Sequence, residues 1–453
     1  MSVSISYDAN HKLTISGIVC GCGLTHRLPS QDIYVGSGIA AHVPAYIQKR
    51  GLGMHCVLVA DQNTWPLAGK ALAARLEGEG FSVIRCIITR AGVMDPDERA
   101  CGEVLLSIQP ETEFLVAVGS GSITDTTRIN AMRCRLPFIS VGTAPSMDGY
   151  TSVVAPLLLR NVKIHRAGVC PEIIVCDTSI LRTAPTAMVC SGVGDVLGKY
   201  IAKADWMLGS IINGETYCTV CGEIVTDAIE KLLRNIEAIR DRTEDGIRIL
   251  IEALLLAGVT IMIIGNTRAV ASVEHNIAHY WEMMQLIHEH HPPAHGASVG
   301  VATLLAWPMY TRFAKEDLSQ LDIEAIKARR ITREAREKWM LQAFEAEAAQ
   351  SIMNNNPEDF LSWDEQLRRI RTAQQKQQEI RNVIALLPPY KTIYTAMKTL
   401  GALTTSAECG IDQKLLNLSM RCAKDYRSRY TLFKLIDECG LEAEYFSAYP
   451  LIK

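Results

Sequence analysis

Between about Ile33 and Asp177, short apolar runs rich in β-branched residues alternate with helix-length stretches, and beyond about Thr183 the strand signal stops. Such alternation commits a chain to a parallel sheet with helices on its faces. The predicted strands are Cys56–Ala60, Ser82–Ile88, Phe114–Val118, Phe138–Val141 and Ile173–Cys176, with helices over Trp65–Gly78 and Pro96–Ile108 between them. Everything after reads as nearly all helix. At 453 residues the chain exceeds what one core supports. The expectation is therefore an α/β unit over 1–182 followed by an all-α unit over 183–453.

Composition removes several classes of function. A formal charge of −3, with neither a basic tail nor a global basic excess, argues against nucleic acid and anionic membrane as partners. Small molecules are the expected ligands. Fourteen cysteines are scattered through a long chain whose first residues, MSVSISYDANHKL, lack an apolar leader core, so a cytoplasmic protein with reduced thiols is expected. The two close pairs, Cys20-Gly21-Cys22 and Cys218-Thr219-Val220-Cys221, each lack a second pair at zinc-ribbon spacing and read as small buried hydrophobes. Leu250 to Gly265 is strongly apolar but contains Glu252 and is short for a membrane span, so a buried core helix is predicted and no membrane insertion. Asp317 to Gln378, rich in Glu, Arg, Lys, Gln and Ala, reads as exposed helices, punctuated by a turn at Asn354-Asn355-Asn356-Pro357.

Gly119-Ser120-Gly121-Ser122-Ile123 follows the Phe114–Val118 strand and opens a helix ending near Met132. A glycine turn in that place lets backbone N–H groups approach a pyrophosphate, and the helix N-terminus favours its charge. It is not the usual G-x-G-x-x-G pattern, and glycines also serve plain turns. Asp61, at the end of the first predicted strand and followed by Gln62-Asn63-Thr64, is placed to bond a ribose hydroxyl and repel a 2′-phosphate, which leans toward NAD. The same residues could instead cap the next helix. Thr143 to Ser152 crowds small and hydroxylated residues and Asp148 into a loop at the sheet's carboxyl end, where open α/β sheets bind ligands.

His275 and His279 lie at i and i+4 and share a helix face. With Asp195 upstream and His295 downstream, two imidazoles and a carboxylate could form the open ligand set of a catalytic divalent ion. Spacing alone makes both His275 and His279 candidates, and such pairs also occur on ordinary helices.

In order along the chain, GSGSITD, TAPSMDGYTS, SGVGDVLGKYIAKADW, EHNIAHYWE, HGASVG and CAKDYRSRYTLFKLIDECGL resemble the sn-glycerol-1-phosphate dehydrogenases, bacterial branch. That family stands within the iron-containing alcohol dehydrogenase, glycerol dehydrogenase and dehydroquinate synthase superfamily. The resemblance implies a Rossmann-like parallel sheet followed by a helical domain, the dehydroquinate synthase-like architecture. It implies NAD(H) or NADP(H), one divalent ion (Zn, Ni or Fe), and interconversion of dihydroxyacetone phosphate and sn-glycerol 1-phosphate. It assigns Asp195, His275 and His295 to the metal; Asp148, Asp195 and His279 to the substrate; and Asp61, Gly119 to Ile123, Thr143, Ser146 and Ser152 to the nucleotide. Asn63 and Thr64 stand with Asp61.

On this reading His279 relays a proton, its alternative being a satisfied core histidine, and Asp148 orients a hydroxyl. Lys199, Arg128 and Lys163 are phosphate candidates, and Lys199 could equally pair with a carboxylate. His288, His290 and His291 are rival ligands, read as an exposed loop. The size of the apolar helical part suggests a homodimer or larger homo-oligomer. Rival readings are a glycerol or polyol dehydrogenase and a dehydroquinate synthase-like cyclase using NAD transiently; against the cyclase stands the aspartate at Asp195, where that family places a glutamate.

Overall fold

This computed structural model describes residues 4–26, 30–160, 162–356 and 360–449. Among the described residues ten strands form: β1 (Ser4–Tyr7), β2 (Leu13–Ser16), β3 (Asp32–Gly36), β4 (His55–Asp61), β5 (Ser82–Ile88), β6 (Phe114–Gly119), β7 (Phe138–Gly142), β8 (Val154–Leu159), β9 (Val162–Ala167) and β10 (Ile173–Asp177). Six of them make one sheet in the order β3-β10-β7-β6-β4-β5, and every pairing in it is parallel. The five strands expected from the sequence are β4, β5, β6, β7 and β10, each extended by a residue or two or matched outright. Their buried runs, such as Val57 to Ala60 and Leu115 to Val118, explain the continuous apolar signal: helices cover both faces. The chain order reverses between β4 and β6, so Asp61 and Gly119 end the two strands that flank the switch point, where such sheets bind ligands.

Beyond β10 the described residues are helical. Three helices matter most: Thr186–Asn213, Val273–Ile287 and His295–Phe313. The first and third pack so closely that a Cβ on Gly194 would lie 2.2 Å from the Gly296 carbonyl oxygen, and one on Gly296 would lie 2.0 Å from that of Ser191. Only backbone fits there, and this approach carries the N-terminus of the third helix up to Asp195. The apolar stretch predicted as a core helix is Glu244–Ile264. It is long and apolar enough to cross a membrane but is mostly buried against its neighbours, with Glu252 paired to Lys231 and Arg248.

The two halves share packing. Ile33, Val35, Ile174 and Cys176, on one face of β3 and β10, enter the same apolar core as the helices, while Tyr34 and Val175 face the other way. Ile5, Tyr7, Ile15 and Ile18 of the N-terminal hairpin also pack on that helical core. The charge-rich insert is more than a solvated face. Its helices Arg333–Phe344 and Trp363–Gln375 bury Met340, Phe344, Ile370 and Ala373, and Tyr280 of the Val273–Ile287 helix donates to the Ala343 carbonyl at 2.6 Å. Asn354 and Asn355 end the helix Ala346–Asn355 rather than a free turn, and Pro357 lies outside the described residues.

Candidate active site

The helix Gly121–Cys134 starts directly after β6, and no side chain caps its N-terminus. The early N–H groups of Gly121, Ser122 and Ile123 therefore point toward the strand ends without a capping carboxylate or hydroxyl, which suits a pyrophosphate. Gly119 pairs with Gly142 at the end of β7, so the Gly119–Ile123 turn and the Thr143–Ser152 loop emerge side by side. Thr143 N–H donates to the Gly119 carbonyl at 3.0 Å, and the Ser120 and Ser146 hydroxyls are 2.6 Å apart. Asp61 Oδ1 accepts from the N–H groups of Asn63 and Thr64, both at 2.8 Å, and Thr64 Oγ1 accepts from Asp61 N–H. The carboxylate thus closes the turn after β4 through one oxygen and does not cap the following helix, Trp65–Gly69, whose N-terminus has no side-chain cap. Ser152 is less available: its hydroxyl donates to Val154 O and accepts from Val154 N.

The loop is anchored from beneath by Arg128, which is fully buried, paired with Asp125, and donates to the Gly149 carbonyl at 2.7 Å. Arg128 is thus committed to the protein and is no phosphate ligand. Ser191 donates to Ser146 O at 2.9 Å and accepts from Gly296 N–H at 3.1 Å, joining the loop to both packed helices. Asp148 N–H then reaches Asp195 Oδ2 at 3.0 Å. Lys199 Nζ sits between Asp148 Oδ2 and Asp195 Oδ1, each at 2.8 Å. Of the two roles open to Lys199, pairing with carboxylates is the one observed. Burial opposes its charge, but those two aspartates hold the ammonium well above its usual value.

Asp195, His275 and His295 converge, with one donor atom of each within 4.8 Å of the others. His275 Nε2 is 3.5 Å from Asp195 Oδ1. Each imidazole is oriented by a glutamate: His275 Nδ1 lies 2.7 Å from Glu274, and His295 Nδ1 2.7 Å from Glu282. That is the outer shell a metal-binding histidine requires, since it directs Nε2 into the site. Burial opposes ionisation of Asp195, yet Lys199 and His275 override it and hold the carboxyl well below the usual range. Glu282 is held at about 2, against its burial, by Lys163 and His295. A carboxylate and two directed imidazoles fit a divalent ion.

His279 does not complete this set. A second cluster, His279 with Glu282 and His295, is also compact. There Glu282 is already engaged by Lys163 and by His295 Nδ1, which leaves it an orienting role. His279 instead stacks on His295 with ring centroids 5.1 Å apart, and its Nδ1 lies 3.4 Å from the Arg427 guanidinium. Burial, followed by Arg427 and Lys163, pushes its pKa well below the ordinary value. His165 of β9, against His279 at 5.8 Å, is lowered to about 3 by burial and the same two cations.

Arg427 and His165 escaped notice in the sequence. One sits in the quoted CAKDYRSRYTLF motif without a mark of its own, and the other on a hairpin strand that was not predicted. His288 and His291 are exposed, beside Glu345 and Asp95, and His290 is exposed next to them, so these three stay outside the site.

Residues 34–185 match the iron-containing alcohol dehydrogenase family. Among solved structures, glycerol dehydrogenase from Schizosaccharomyces pombe shares the fold, with a TM-score of 0.58 over 94% of this chain and 91% of that one, at 16% identity. The glycerol-1-phosphate dehydrogenase [NAD(P)+] of Halalkalibacterium halodurans is 35% identical over 302 residues, 66% of this chain and 75% of its own. The enzyme of the same name from Geobacillus stearothermophilus is 30% identical over 423 residues, 92% of this chain and 95% of its own. With the second likeness running over nearly the whole of both chains, this chain belongs to the glycerol-1-phosphate dehydrogenase [NAD(P)+] family, on its bacterial branch.

Proposed function

We propose that the protein is an NAD(P)H-dependent, metal-dependent dehydrogenase that reversibly reduces dihydroxyacetone phosphate to sn-glycerol 1-phosphate. The observation that carries this reading is the cluster of Asp195, His275 and His295 set directly beside the cationic corner of Arg427 and Lys163. A ketone oxygen at the first and a phosphate at the second would occupy one small substrate. When bound, the ion supplies Lewis acidity for the carbonyl and the dinucleotide supplies hydride.

The remaining work falls to the chain's own groups. Asp195, His275 and His295 hold the ion. Asp61, Asn63, Thr64, the Gly119–Ile123 turn, Thr143, Ser146 and Ser152 form the nucleotide side; of these, Ser152 acts through the loop backbone, given its local hydrogen bonds. Lys199 fixes Asp195 and Asp148 relative to each other, so that Asp148 can accept a bond from the substrate's terminal hydroxyl. Arg427 donating toward His279 Nδ1 leaves the ring hydrogen on Nε2, where the neutral imidazole can hold a water by donating to its oxygen; that water gives its proton to the nascent alkoxide and is replaced from solvent. The same guanidinium, with Lys163, meets the phosphate.

We read the chain as two domains, 1–182 and 183–453, of a cytoplasmic homodimer or larger homo-oligomer, and light scattering on the purified protein tests the assembly. The decisive assay follows NADH oxidation with dihydroxyacetone phosphate before chelation, after it, and after adding back Zn²⁺, Ni²⁺ or Fe²⁺. Activity should vanish and return. Undiminished turnover in a metal-free preparation refutes the mechanism, and equal turnover of dihydroxyacetone without its phosphate refutes the substrate.

A further inference from the structure

A second group of side chains of metal-ligand type lies where the N-terminal segment meets the helical half, in residues the reaction does not use. Cys20, Cys22, His26 and Cys218 each place one donor atom within 4.8 Å of the others. Cys20 and Cys218 Sγ are 3.6 Å apart, Cys22 Sγ is 3.3 Å from His26 Nε2, and Cys218 Sγ is 3.6 Å from the same nitrogen. Ligand bonds of about 2.3 Å to sulfur and about 2.0 Å to nitrogen give tetrahedral edges of roughly 3.5–3.8 Å. The two 3.6 Å separations fall on those edges, and the 3.3 Å separation of Cys22 and His26 is slightly shorter. Thiols merely buried as small hydrophobes have no reason to gather three sulfurs around one imidazole nitrogen.

Two features of the surroundings point the same way. His26 Nδ1 lies 3.4 Å from the Ile263 carbonyl, which fixes the hydrogen on Nδ1 and turns Nε2 inward as a ligand. Cys218 stands at the N-cap of the helix Thr219–Arg234, where Cys221 N–H donates to its sulfur at 3.5 Å and the helix dipole favours a thiolate. Cys221 lies outside the cluster. The CGC and CTVC pairs, unremarkable apart, are thus brought together across 198 residues of chain.

We propose that Cys20, Cys22, His26 and Cys218 hold a structural zinc ion that pins the N-terminal segment to the helical domain. Binding displaces the three thiol protons to solvent and involves no oxidation or reduction. The four protein ligands close the coordination shell, so the ion takes no substrate. Its mechanical reason is local. Gly17 to His26 forms neither helix nor strand, and the hairpin before it has two short strands, too few to be stable unaided. Cross-linking that segment to the start of one helix and, through His26, to the last turn of Glu244–Ile264 holds it where side-chain burial is modest.

The test uses the full-length protein with cobalt(II) exchanged for the resident metal. Thiolate ligation gives an intense sulfur-to-cobalt charge-transfer band in the near ultraviolet, which the Asp195, His275 and His295 site, having no sulfur, cannot produce. The band is expected in the unaltered protein and in Cys221→Ser, and absent from the Cys20→Ser/Cys22→Ser double variant. That variant should also lose one zinc per chain by elemental analysis while retaining the ion at Asp195. No charge-transfer band in the unaltered protein overturns the proposal without relying on any variant. So does a Cys20–Cys218 disulfide found by peptide mapping of freshly purified, unreduced protein.

Discussion

At the scale of single residues, the two histidines one turn apart stand in different surroundings, His275 against Glu274 and Asp195 and His279 against Arg427, and the proposed function gives them different work. His275→Ala should remove the bound ion together with activity, because it deletes a ligand that Glu274 orients. His279→Ala should keep the ion and slow turnover; equal metal loss in both variants, measured by elemental analysis, would put His279 in the ligand set. Arg427 carries a second prediction. A charge-assisted hydrogen bond is worth about 1.5–3 kcal/mol, so Arg427→Ala should raise KM for dihydroxyacetone phosphate roughly 10- to 100-fold. Its effect on unphosphorylated dihydroxyacetone should be small. A uniform loss with both substrates would instead make Arg427 a prop for His279.

At the scale of elements, Asp205 shows how helices are locked behind the site. It is fully buried on the Thr186–Asn213 helix, and accepts from Ser272 Oγ at 2.6 Å, Tyr310 OH at 2.7 Å and Leu432 N–H at 2.8 Å. These donors come from the segment entering Val273–Ile287, from His295–Phe313 and from the C-terminal motif. Burial raises its carboxyl to about 6, from 3.8 for an unperturbed aspartate. The folded protein thus holds this proton more tightly than the unfolded chain. Between pH 3.8 and about 6 the group's contribution to stability falls as pH rises, and it levels off above that. Asp205→Asn cannot ionise, so it should flatten the stability profile across that window. It should also be about 1–3 kcal/mol less stable, since an amide offers one acceptor oxygen to three donors. Denaturant titrations from pH 4 to 7 read both effects, and parallel profiles would show that Asp205 does not titrate there.

The elements themselves were unevenly legible. The four inner strands, β4, β6, β7 and β10, announced themselves through continuous apolar runs, which only a doubly covered sheet needs, and the edge strand β5 through its β-branched residues. β1, β2, β8 and β9 did not, because they form two-stranded hairpins with mixed exposure, and β3 is a short edge strand that pairs with the last strand of the sheet rather than a sequence neighbour. The convergence of Asp195, His275 and His295 was foreshadowed by the ordered motifs that carry them. Glu282, Arg427 and the Cys20–Cys218 grouping were not, since each acts through an approach between distant segments that spacing does not encode.

For the whole molecule, the Asp195 cluster and the Gly119–Ile123 turn belong to different layers that meet at the Thr143–Ser152 loop, where Asp148 N–H reaches Asp195. On the proposed reading the ion would be held by Asp195, His275 and His295 on helices, and the dinucleotide would meet strand ends and the Gly121–Cys134 helix. Residues of β3 and β10 nevertheless pack into the helical core, and Ser191 ties the Thr143–Ser152 loop to both central helices. Either ligand should therefore stabilise the entire chain rather than one half. A ligand at a hundred times its dissociation constant adds about 2.7 kcal/mol by mass action. Chelated protein should accordingly unfold in one thermal transition that moves up with divalent ion and, separately, with NADH. Gly194→Ala forces a Cβ against the Gly296 carbonyl and drives His295 away from Asp195. It should cost about 1–3 kcal/mol or more of stability and abolish the shift given by the ion, while the shift given by NADH persists. If the NADH shift disappears as well, the helix contact governs the nucleotide side too, and the two sites cannot be separated at the Thr143–Ser152 loop.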